Sequence, residues 1–184
     1  LNFCFIYFHF NLIFVSLYLL ILFFLISQKF QCLLFIESIQ FLFNFIIVNS
    51  KKSHSTNIVV DRVNKFRTEN KEIFNDLYND ESKLIEKAVE SLQKFNLETI
   101  GKCMSQNQIF LEQLGVSNDQ LQEIIKLVEK DAFGAKITGA GDGGCIIALT
   151  DKNKKESLLQ RIKTEYESYP VTIDKTGMQV FNIN

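Results

Sequence analysis

The run Lys136-Ile137-Thr138-Gly139-Ala140-Gly141-Asp142-Gly143-Gly144-Cys145 gathers most of what could do chemistry in this 184-residue chain. Five of the eight glycines fall between Gly134 and Gly144, which allows a loop whose backbone bends freely or approaches a ligand closely. Small residues between two apolar runs can turn consecutive backbone N–H groups toward one point, a concavity that suits phosphate. The competing reading is a tight strand connection that needs positive φ angles and nothing more. No Gly-Lys-Ser/Thr closes the run, so it is not a Walker A loop, and no strand-then-helix G-x-G-x-x-G unit is present.

Other candidates are weaker. Cys4, Cys32, Cys103 and Cys145 lack C-x-x-C spacing and paired histidines, which points to buried free thiols rather than a zinc site or a disulfide framework. His54 is a lone histidine in a polar loop and reads as a surface residue. Asn107 and Gln108 read as a solvent-facing helix turn, with a polar contact to substrate as the alternative. A net charge of −1 gives no basic patch for nucleic acid.

The elements that must position the glycine run are legible in the apolar spacing. Phe43 to Val48 reads as a strand, followed by a polar loop from Asn49 to Thr56. Ser55 or Thr56 can cap a helix bearing Val59, Val63 and Phe66 on one face. Leu84, Ile85, Ala88, Val89, Leu92 and Phe95 keep helical spacing opposite a charged, solvated face. Asn96 caps the next helix, which Gly115 ends, and Ser117-Asn118-Asp119-Gln120 opens another in a capping-box pattern. Cys145 to Thr150 is a buried strand, Leu158, Leu159, Ile162 and Tyr166 mark a helix, and Val171–Ile173 and Met178–Ile183 read as two strands joined at Lys175-Thr176-Gly177. Strands early and late with helices between predict an α+β domain over 41–184.

Residues 1–40 are a different kind of sequence. Twelve of the eighteen phenylalanines and only two charges, Lys29 and Glu37, lie in the first 48 residues, without a single Gly, Pro or Ala. This hydrophobic low-complexity segment is expected to be translated A/T-rich non-coding DNA, with a membrane segment as the physical alternative. A membrane association follows only if it is expressed.

The glycine run closely resembles the third motif of the galactokinase, homoserine kinase, mevalonate kinase and phosphomevalonate kinase superfamily. Asn107-Gln108 followed by Leu111-Glu112-Gln113-Leu114-Gly115-Val116-Ser117 is similar to the segment that its mevalonate kinases carry upstream of that motif. The resemblance covers roughly residues 41–184 and implies a ferredoxin-like α+β C-terminal domain, an antiparallel sheet with helices. It implies a kinase using ATP and Mg²⁺ on a mevalonate-like small molecule, in a cytoplasmic enzyme that could form a homodimer.

By the same resemblance, Gly139, Ala140, Gly141, Gly143 and Gly144 would donate backbone N–H groups to phosphate. Thr138 would support the loop, and Thr56 would sit near the acceptor pocket. Asp142 departs from the all-glycine form of the motif. A carboxylate beside polyphosphate is repulsive, so Asp142 is expected to face solvent. No catalytic residue and no metal ligand is assigned to this chain. The family's second glycine-rich loop, catalytic Asp, Lys and Mg²⁺-binding Ser and Glu belong to an N-terminal domain, whereas residues 1–100 contain no glycine. The chain alone is therefore expected to be inactive. A phosphomevalonate kinase or galactokinase fragment and a membrane-anchored, non-catalytic binding module are the alternatives.

Overall fold

The computed structural model describes residues 43–53, 55–171 and 173. His54, the 1–40 segment, the turn at Lys175-Thr176-Gly177 and the strand expected at Met178–Ile183 lie outside the described residues. The elements run β1 (Asn44–Asn49), α1 (Thr56–Glu69), α2 (Lys71–Gln93), α3 (Leu97–Gln113), α4 (Asp119–Val128), β2 (Ala132–Thr138), β3 (Cys145–Thr150), α5 (Lys155–Lys163) and β4 (Glu167–Val171). The strands form one sheet in the order β2-β3-β1-β4, with every neighbouring pair antiparallel. This is the ferredoxin-like arrangement, with four helices where its first crossover has one.

Period-two alternation places the core. Ile46 and Val48 of β1, Ala135 and Ile137 of β2, and Ile146 and Ala148 of β3 are buried. They pack with Leu121, Ile124, Ile125 and Val128 of α4 and with Leu158, Leu159 and Ile162 of α5. The 3.6-residue spacing of those two helices supplies one apolar stripe each.

Caps set the helix boundaries. The Asn96 side chain accepts from Thr99 N at the start of α3, and Gly115 follows that helix with φ +71°. At α4 the cap is Asn118, whose Oδ1 accepts from Leu121 N at 3.1 Å, rather than Ser117 of the expected capping box. Ser55 holds the N-cap position of α1 without a side-chain bond.

Two expectations about strands need correction. The Val171–Ile173 strand is displaced toward the N-terminus, since β4 is Glu167–Val171 and α5 ends at Lys163, before Tyr166. Among the described residues β4 pairs only with β1, and at a sheet edge a proline such as Pro170 is tolerated. The other correction concerns Gly134, which lies in a strand, β2, and not in the loop. Among the described residues, no helix is long and apolar enough to cross a membrane.

Candidate phosphate-binding site

β2 and β3 form a hairpin in which Thr138 pairs with Cys145, so residues 139–144 are its loop. Five of these six have positive φ: Gly139 (+85°), Gly141 (+90°), Asp142 (+57°), Gly143 (+158°) and Gly144 (+75°). Side chains other than Asn and Asp rarely adopt such angles, which accounts for the glycines and for the tolerance of Asp142.

The loop is moored from two sides. Asp142 N donates to Val116 O at 2.7 Å in the α3–α4 connection. There a Cβ on Gly141 would stand 2.2 Å from Val116 O, so only glycine permits the approach. On the other side, Gly144 N donates to Lys52 O (3.1 Å) and Gly144 O accepts from Ser50 N (2.9 Å). These bonds draw the β1–α1 connection onto the loop. Gln120 Nε2 of α4 holds the same connection through Ser50 O at 2.9 Å.

This mooring sorts the expected donors. The amide of Gly144 is committed to Lys52, whereas those of Gly139, Ala140, Gly141 and Gly143 take no part in the internal bonding of the loop among the described residues. Gly139 is exposed, with no atom within 4 Å of where a Cβ would be. Ala140 is half-buried, and Gly141 and Gly143 are buried; backbone amides beside left-handed residues are the kind of donor that can hold an anion. Thr138 is exposed at the end of β2, and Thr56 is exposed as the first residue of α1, four residues beyond Lys52.

Asp142 faces solvent only in part: its side chain is 27% exposed. Its Oδ2 lies 3.0 Å from Arg62 Nη2 of α1, and its Oδ1 accepts from Asn118 Nδ2 at 3.3 Å. The Arg62 hydrogen bond holds the carboxyl below its ordinary value; the Asn118 bond and the charges of Arg62 and Lys52 add to this, against a smaller opposing effect of burial. Arg62 Nη1 also donates to Gly115 O at 2.8 Å.

Gln108 likewise departs from the expected solvent-facing turn. It is 3% exposed, and its Oε1 accepts from Ile137 N at 2.9 Å. Its amide group reaches Glu112 (3.0 Å) and Ser117 (3.4 Å). Asn107 donates to Glu81 Oε1 on α2 at 2.8 Å. Lys136, the first residue of the run, is half-buried; burial lowers its amine and the Glu81 charge partly restores it. Of the four expected free thiols, Cys103 (buried) and Cys145 (half-buried) are free, and Cys4 and Cys32 lie outside the described residues. Arg62 carried no signal in the sequence, and Asn118 and Gln120 were legible only as part of a helix cap, because polar residues at helix starts and on solvated faces look alike before the chain is folded.

Residues 88–168 match the family model for GHMP kinases C terminal. The curated relatives that it resembles include proteins named mevalonate kinase and one named galactokinase. The mevalonate kinase of Thermococcus gammatolerans is 39% identical over 110 residues, covering 56% of this chain and 33% of the relative. That of Gibberella zeae is 28% identical over 149 residues, covering 73% and 29%. The crystal structure of L. major mevalonate kinase in complex with R-mevalonate superposes with a TM-score of 0.67 at 27% identity, covering 71% of this chain and 43% of that one. The chain spans about a third of the length of these curated relatives.

Proposed function

We propose that this chain is the C-terminal part of an ATP-dependent mevalonate kinase, which transfers the γ-phosphate of ATP to the 5-hydroxyl of mevalonate in isoprenoid synthesis. The observation that carries the reading is the moored hairpin loop, with four uncommitted amides and left-handed backbone at Gly139, Gly141, Asp142, Gly143 and Gly144. The names of the relatives supply the substrate class.

Phosphoryl transfer asks the protein for positioning and charge stabilisation more than for covalent chemistry. The amides of Gly139, Ala140, Gly141 and Gly143 serve that end by holding phosphate oxygens, while Thr138 ends the strand that aims them. Thr56, at the start of a helix whose entry loop is bonded to Gly144 through Ser50 and Lys52, is proposed to meet the acceptor. Mg²⁺ would supply charge neutralisation on the nucleotide when bound.

Residues 41–184 alone are proposed to be inactive, because the catalytic Asp and the second glycine-rich loop of such kinases belong to another domain. Turnover of mevalonate by purified 41–184 above a blank would overturn that part. The acceptor is tested by offering the full-length protein mevalonate, phosphomevalonate and galactose with MgATP. Selective ADP release with mevalonate supports the reading. Preference for either sibling substrate replaces it.

A further inference from the structure

We propose that Arg62 is a positioning residue of the glycine loop, whose task is to keep the Asp142 carboxylate turned away from bound phosphate. The proposal rests on the polyphosphate reading above. Every other residue of the loop is glycine or alanine. Asp142 therefore brings the loop its one negative charge, within three residues of all four uncommitted amides.

The geometry around that charge is over-determined. The two ends of the guanidinium are spent on different partners, Nη2 on Asp142 Oδ2 at 3.0 Å and Nη1 on Gly115 O at 2.8 Å. The planar fork is thereby fixed in orientation. Asn118, itself the cap of α4, takes the second carboxylate oxygen at 3.3 Å. Arginine and aspartate remain 41% and 27% exposed, and pairs so exposed add little to stability. The effect of the pair falls on the loop instead. With its charge matched and its oxygens bonded to α1 and α4, Asp142 presents little repulsion to an anion at the neighbouring amides. Without Arg62, an unpaired carboxylate would be free to turn toward them.

A role in charge and a role in loop shape give opposite results in one experiment. Binding of inorganic tripolyphosphate to the full-length protein is measured by calorimetry at low salt for four forms: native, Arg62→Gln, Arg62→Lys, and Arg62→Gln with Asp142→Asn. Arg62→Gln is expected to bind about tenfold more weakly, the deficit shrinking as salt rises. Arg62→Lys, which keeps the charge, should stay within about threefold of native. The double variant lacks the ion pair altogether, yet it should recover to within about threefold of native, because the offending carboxylate is gone. If it binds as poorly as the single variant, or if Arg62→Gln binds like native, the proposal is overturned. A native protein that binds no tripolyphosphate sinks the polyphosphate reading and this proposal together, whereas native binding without rescue sinks this proposal alone.

Discussion

Gly101 of α3 and Gly134 of β2 meet so closely that a Cβ on Gly134 would lie 1.9 Å from Gly101 O, and one on Gly101 would lie 2.3 Å from Phe133 C. The atoms in the way are backbone, which cannot swing aside. Gly134→Ala should therefore destabilise the domain by about 3 kcal/mol, the upper range for overpacking. Gly139→Ala meets open space but carries the left-handed cost at φ +85°, roughly 1–2 kcal/mol. Urea unfolding of both variants checks the ranking; equal losses would contradict it.

The same helix protects the open edge of the sheet. Among the described residues β2 is an edge strand, and Ile137 N finds its acceptor in Gln108 Oε1. Gln108→Leu fills similar space but leaves a buried donor unpaired, which should cost about 1–3 kcal/mol. The check is the urea midpoint at unchanged slope. A loss below the error of the fit would show that the amide finds another partner.

Asp142 should titrate below the ordinary aspartate range, because Arg62 and Asn118 bond its charged form. A carboxyl whose folded pKa is depressed stabilises the fold fully above its unfolded pKa, about 3.9. That contribution is lost as pH falls through the lower folded value. Carboxyl-carbon NMR should place the native transition below that of Arg62→Gln, in which the Asp142 pKa moves up toward the ordinary value. Coincident titration curves would remove Arg62 as the cause.

The helices were legible in sequence because their apolar residues recur every three or four positions and because Asn96 and Gly115 punctuate α3. The hydrophobic run at Cys145–Thr150 marked β3 in the same way. β2 was harder to see: Gly134 and Lys136 break its apolar pattern, and a glycine near other glycines reads as loop. Its reason for being glycine lies 33 positions away, at Gly101, and no local spacing encodes that contact. Arg62 was missed, and Gln108 was read as solvent-facing, for a related reason. One sits on an exposed helix face and the other inside an edge contact, and their partners, Asp142 and Ile137, are distant in sequence. The loop was found because five positive φ angles within six residues call for glycine at nearly every position.

That the loop is a phosphate cradle is tested most directly by amide NMR on the full-length protein as inorganic tripolyphosphate is added. The amides of Gly139, Ala140, Gly141 and Gly143 should shift together along one saturating curve. Those of Asp142 and Gly144, bonded to Val116 O and Lys52 O, should move least. Shifts confined to surface lysines, with the four loop amides unmoved, would contradict the cradle.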